Sequence, residues 1–193
     1  AAGRTAVTEP APSRDHTENM LEAMGATLTR ETLADGRVRV AVDGEPELRP
    51  LELTVPADPS SAAFPLIAAL LVPGSAIRLP GVGLNPTRSG LFEVLAGMGA
   101  GITVENRRRL GGEPAGDLVV RAGGLTAVEV AADRAPAMID EYPILAVAAA
   151  LARGRTVMRG IGELRVKETD RLAAVTAGLR AAGVEVDAGD DWL

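Results

Sequence analysis

The run Lys167-Glu168-Thr169-Asp170-Arg171-Leu172 sets two cations and two carboxylates just ahead of an apolar helical pattern. Lys167 and Arg171 are four apart, so on a helix they share one face, where like charges repel unless an anion lies between them. A helix start there adds a positive end and free N–H groups. Carboxylates beside cations are also the material of general acid–base work. Read from the residues alone, the same run is a helix start laced with surface ion pairs. Asp140 stands in Met138-Ile139-Asp140-Glu141-Tyr142-Pro143, ahead of an otherwise apolar helix. Its local reading is an N-cap, worth about 1 kcal/mol. Glu141 beside it reads as solvated or structural. Arg14, at another helix start, reads locally as a surface residue, and the lone His16 next to it as structural, without a partner. Ser60 and Ser61 read as helix caps, because no base stands near them in sequence.

The elements that position these residues recur. Three segments, from Ser13, Asn85 and Val166 onward, each have a polar start, about three turns of helix, a glycine and an alternating strand. Leu172, Val175 and Leu179 form one apolar stripe, as do Leu91, Leu95 and Met98. Asp15 with Glu18 predicts a capping box. Gly25, Gly99 and Gly183 fit the left-handed position past each helix. A second, almost wholly apolar helix precedes two of the copies, with Phe64-Pro65 aligned over Tyr142-Pro143. Both apolar helices are expected to be buried. Strands are expected at 51–57, 75–82, 127–133 and 155–161, with further ones at 37–44 and 117–124. Residues 106–116 read as a loop. The repeated unit is strand–helix–strand–helix–strand–strand, both helices covering one face of a small sheet.

Composition narrows the classes. Of 193 residues, 47% are hydrophobic and 2% aromatic, so the core must be Ala, Leu, Val and Ile. A net charge of −6 argues against broad nucleic-acid binding but leaves room for small anions in a cationic cleft. The absence of Cys removes disulfides, thiolate metal sites and a Cys nucleophile, and one His cannot build a His-rich site. Neither a metal nor a cofactor is expected. No apolar run reaches about 18 residues and no signal peptide is evident, so no membrane contact and a cytoplasmic location are expected. The chain opens on Ala1 and stops at Leu193, which reads as an internal fragment.

The stretches at 59–75, 83–100, 139–152 and 163–172 resemble, in order, the motifs of the 3-phosphoshikimate 1-carboxyvinyltransferases, or EPSP synthases. The stretch at 9–26 resembles especially the bacterial branch with glyphosate-insensitive members. The resemblance implies an α/β (α+β) fold of two domains, each built of βαβαββ units with helices over small mixed sheets. On that pattern residues 1–54 end one domain and 55–193 form part of the second, both incomplete. It implies transfer of enolpyruvyl from phosphoenolpyruvate (PEP) to the 5-hydroxyl of shikimate 3-phosphate, on the route to chorismate and the aromatic amino acids, by a protein monomeric when complete. Residue by residue it implies Arg171 on the PEP carboxylate, Lys167 between PEP and the shikimate hydroxyl, and Glu168 as proton donor, with a pKa raised towards neutrality. It implies Asp140 as the base at that hydroxyl, Arg14 on shikimate 3-phosphate, and Arg88 in a structural loop. The family's N-terminal Lys loop, its Ser-Ala-Gln or Ser-Ser-Gln stretch and its later Arg and Lys residues are outside the chain. UDP-N-acetylglucosamine enolpyruvyl transferase and a non-catalytic module of the same fold are the alternatives.

Overall fold

The computed structural model describes residues 2–10 and 12–193. Strand β1 (Arg4–Glu9), helix α1 (His16–Ala23), β2 (Leu28–Thr32) and β3 (Val38–Asp43) form an antiparallel sheet in the order β1-β3-β2. The same plan returns in β4 (Ala76–Gly83), α3 (Gly90–Gly97), β5 (Gly101–Leu110) and β6 (Glu113–Arg121), in the order β4-β6-β5. Between the two lies α2 (Pro59–Leu71), which crosses from Ala57, paired parallel with Val82, to β4. Residues 57–121 are therefore one βαβαββ unit whose first strand is a single bridge. The last part repeats it with β7 (Glu129–Val130), α4 (Tyr142–Ala150), the parallel β8 (Val157–Met158) and α5 (Arg171–Ala181).

The core is built as the composition requires. Leu66, Ile67 and Leu70 of α2, Leu91 and Leu95 of α3, Leu118 of β6, Leu145 of α4 and Met158 of β8 are fully buried, with Tyr142 the one aromatic among the largest buried side chains. Every member of this cluster lies between Ala62 and Leu172. Among the described residues of 1–54 only Ala26 and Ala41 are buried. Each helix of the repeated kind ends on a glycine in the left-handed region, with φ of +99°, +86° and +80° at Gly25, Gly99 and Gly183.

Several expectations are corrected. Helices α1 and α3 have eight residues, nearer two turns than three. Residues 51–56 form no strand. The segment 106–116 is a hairpin rather than a loop, because β5 runs on to Leu110 and only Gly111-Gly112 turn. That turn touches α1: a side chain on Gly112 would meet the Asn19 carbonyl at 2.7 Å. Val184 to Asp187 alternate but form no strand, since among the described residues the only antiparallel partner of β8's end is the Arg159–Trp192 bridge. Asp15 makes no capping bond. Asp58, not Ser60 or Ser61, caps α2 by accepting from the Ser60 and Ser61 amides.

Two bulges in the second sheet frame Asp117, a buried carboxylate on β6. It accepts from the Asn106 amide, the Gly81 N–H and the guanidinium groups of Arg78 and Arg108, at 2.9–3.0 Å. These donors, Asn106 foremost, hold its pKa well below the usual carboxylate range. Its contribution to stability is therefore complete above the unfolded value of about 3.9 and is lost as pH falls towards the lower folded value. Asp117→Asn is expected to lower the urea midpoint at pH 7 and to flatten the fall in midpoint below about pH 4. An acid limb of unchanged slope would show that this carboxylate contributes nothing.

Candidate active site

The backbone brings three distant segments to one place. Asp140 lies in a 3-10 turn, Ile139–Glu141, immediately before α4. Ile139 and Tyr142 are both buried, and this pins the turn while the Asp140 side chain stays 31% exposed. Arg171 is the first residue of α5, at a helix start fixed by Asp170, whose carboxylate accepts the Ala173 N–H at 2.8 Å. Arg165 secures Asp170 at 2.8 Å and also donates to the carbonyls of Gly189 and Asp190. Arg14 precedes α1.

Asp140 is shared between two guanidinium groups. Arg171 Nη1 donates to Oδ1 and Arg14 Nη2 to Oδ2, each at 3.2 Å. Arg171 turns its other two donors to Glu168, Nη2 at 2.5 Å and Nε at 3.1 Å from Oε2. The four residues thus form one chain of alternating charge, Arg14–Asp140–Arg171–Glu168. Asp140 does not cap α4, as its local sequence predicts; both oxygens are taken by arginines.

Lys167 stands differently from the expectation. It follows a 3-10 turn, Gly162–Val166, in extended backbone, and α5 begins four residues later. Lys167 and Arg171 therefore share no helix face. The Lys167 ammonium pairs with Glu163, and the cations on Asp140 are Arg14 and Arg171. Glu168 is 73% exposed, and its own backbone N–H and then Arg171 hold its pKa below the usual glutamate value. That direction is opposite to the one a proton donor needs, so the raised pKa expected from sequence is not the state of this structure.

Sequence reasoning missed the groups behind the site. Glu141 is 2% exposed, so of its two readings the structural one holds, and it accepts a hydrogen bond from the Ser60 hydroxyl. Burial pushes its pKa up. Arg88 donates to Ser60 Oγ at 2.7 Å and to Asp58 at 3.3 Å, the structural loop role the resemblance implies. His16 does have a partner, Glu113, at 3.0 Å. Burial alone would raise the Glu113 carboxyl, but bonds from Asn85, His16 and Asn19 outweigh it and keep it low. Asp15, His16 and Glu113 lie close enough together to suggest a metal. The buried Asn85 amide nitrogen, however, donates to Asp15 at 2.6 Å and to Glu113 at 2.9 Å, while its oxygen accepts from Thr87. The cluster is a satisfied hydrogen-bond clasp between α1 and the second sheet.

No helix among the described residues is long and apolar enough to cross a membrane. The family model of EPSP synthase (3-phosphoshikimate 1-carboxyvinyltransferase) matches residues 1–193. A 3-phosphoshikimate 1-carboxyvinyltransferase of Granulibacter bethesdensis is 61% identical over 195 residues, covering 100% of this chain and 43% of that protein. Another, of Paracoccus denitrificans, is 59% identical over 186 residues, covering 96% and 42%. The structure of EPSP synthase from Acinetobacter baumannii superposes with a TM-score of 0.90 at 42% identity, over 99% of this chain and 42% of that one. The enolpyruvyl transferase NikO from Streptomyces tendae shares the fold alone, with a TM-score of 0.55 at 21% identity over 82% of this chain and 36% of that one. The chain spans less than half the length of these relatives. With its α/β architecture of repeated βαβαββ units and a match along its whole length, the chain belongs to the EPSP synthase family.

Proposed function

We propose that the full-length protein carrying this chain transfers the enolpyruvyl group of PEP to the 5-hydroxyl of shikimate 3-phosphate, releasing phosphate. The observation that carries this is the convergence of Arg14, Asp140, Glu168 and Arg171 from segments far apart in sequence into one cationic and carboxylate cluster. Both substrates are anions, and the arginines here hold carboxylates in the positions substrate anions would take. Arg171 is the anchor for the PEP carboxylate, its fork now engaged by Glu168 and Asp140. Arg14 faces shikimate 3-phosphate. Asp140 takes the hydroxyl proton, and Lys167 leaves Glu163 to lie between the two substrates.

Glu168 is the proton donor to the methylene carbon of PEP. Its low pKa in the free protein supports a sequence of events. When the PEP carboxylate takes the Arg171 fork, Glu168 loses its side-chain partner and gains an anion as neighbour. Both changes favour its protonated form. Binding thus loads the acid at the step that uses it.

Residues 1–54 close one domain and 55–193 form part of the other; the confinement of the main core to Ala62–Leu172 supports that boundary. The reaction needs no cofactor, takes place in the cytoplasm and is carried out by a monomer. The test is phosphate release from PEP with shikimate 3-phosphate by the full-length protein, with the 193-residue chain beside it. The full-length protein is expected to turn over. The chain alone is expected not to, because cations from the remaining parts are needed to close the cleft and exclude water. Release by the chain alone would overturn the division of the site between segments; none by the full-length protein would overturn the function.

A further inference from the structure

A carboxyl group is expensive to bury, and a buried one without a task is normally replaced by an apolar side chain. Glu141 is such a group. The aligned repeat shows the cheaper solution: with Phe64 over Tyr142, its counterpart is Ala63, fully buried in the same kind of helix. Glu141 gives α4 no cap. Its bond is to Ser60 on α2, and Ser60 in turn accepts from Arg88, which also holds the capping Asp58. Three groups on two other segments, Ser60 with Asp58 and Arg88, are therefore linked to the residue next to Asp140, Ser60 directly and the others through it or its neighbour. The same loop reaches the other side of the site, since Asn85, three residues before Arg88, holds Asp15 beside Arg14.

We propose that Glu141 is a positioning residue for Asp140. Through Ser60 and Arg88 it fixes the 3-10 turn so that the Asp140 carboxylate stands between Arg14 and Arg171. Ile139 and Tyr142 anchor the turn in the core, but apolar packing leaves its rotation about the chain direction free to adjust. A directed bond from the intervening residue removes that freedom. Burial keeps the Glu141–Ser60 bond out of competition with water and so makes it rigid. The proposal deepens the function given above and rests on it for its kinetic consequence, though not for its geometric one.

The experiment uses the full-length protein with Glu141→Ala, Glu141→Gln and Ser60→Ala, read by steady-state kinetics and by crystal structures. Glu141→Ala and Ser60→Ala are expected to lower kcat by about 10- to 100-fold with KM for both substrates within about 3-fold, the signature of a displaced reacting group. Glu141→Gln keeps an oxygen for the Ser60 hydroxyl, and it is expected to restore kcat to within about 3-fold of the unchanged protein. In the Glu141→Ala structure the Asp140 carboxylate is expected to leave at least one of its two arginines. A folded Glu141→Ala protein with unchanged kcat, or one with Asp140 still on both arginines, overturns the proposal. So does a Glu141→Gln protein as slow as Glu141→Ala, which would make charge rather than position the cause. If Glu141→Ala does not fold, Ser60→Ala decides on the same terms. An inactive unchanged protein would refute the function and leave the structural comparison to decide the positioning.

Discussion

Glu168→Gln in the full-length protein is expected to lower kcat by about 10²- to 10⁴-fold, the usual worth of a general acid–base group. The KM for PEP is expected to change far less, because the proposed function has Glu168 act in the transition state and not in holding the substrate. The geometry of the free protein sharpens the test. Glu168 is largely exposed and, among the described residues, bonds only its own backbone N–H and Arg171, so the substitution removes no packing. A melting curve for the variant should overlay that of the unchanged protein. A loss of kcat is then chemical and not a symptom of unfolding. If Glu168 were merely one half of a surface ion pair, the variant would keep its kcat, since exposed pairs of this kind contribute little to anything. A Glu168→Gln enzyme with normal kcat would end the catalytic reading of the 167–172 run.

The sequence carried the repeat well because repeats are written in local physics. Apolar stripes mark α3 and α5, an almost wholly apolar run marks α2, and the three glycines mark helix ends that only a left-handed residue makes easily. The strands that failed, at 51–56 and 184–187, alternate as they should, but a strand exists only where a neighbour completes its ladder, and alternation says nothing of neighbours. The site residues were legible as types but not as geometry. Spacing of four put Lys167 and Arg171 on one helix face, yet Asp170 caps a helix that starts only at Arg171. Capping chemistry, present in the sequence as Asp170 ahead of an apolar stripe, was the competing signal that won. Asp140 looked like a cap because carboxylates before helices usually are; only the fold brings Arg14 and Arg171 to its two oxygens. Glu141 had a signal that went unread. Where the two apolar helices align, Ala62-Ala63 in one becomes Asp140-Glu141 in the other. A repeat that replaces two buried alanines with two carboxylates marks the copy to which the proposed function assigns the chemistry.

Arg171→Lys tests the other end of the same cluster. Arg171 uses three donors at once, Nη1 to Asp140 and Nε with Nη2 to Glu168. Only a planar fork can hold a carboxylate with two bonds while reaching a second one, and an ammonium keeps the charge but not the directions. The variant is therefore expected to raise the KM for PEP by about 10- to 100-fold, the range set by the loss of one or two charge-assisted bonds. The KM for shikimate 3-phosphate, which the proposed function places on the Arg14 side, should move much less. A smaller fall in kcat is also expected, because PEP that fails to fill the fork leaves Glu168 on its backbone N–H and slower to take up the proton it must give. The two substitutions thus divide the parameters between them, with Arg171→Lys acting on KM for PEP and Glu168→Gln on kcat. Steady-state kinetics with each substrate varied in turn reads both. An Arg171→Lys enzyme with an unchanged KM for PEP would remove the arginine from the PEP site. It would leave Arg171 as a partner of Asp140 alone, and the displacement that loads Glu168 with its proton would have no cause.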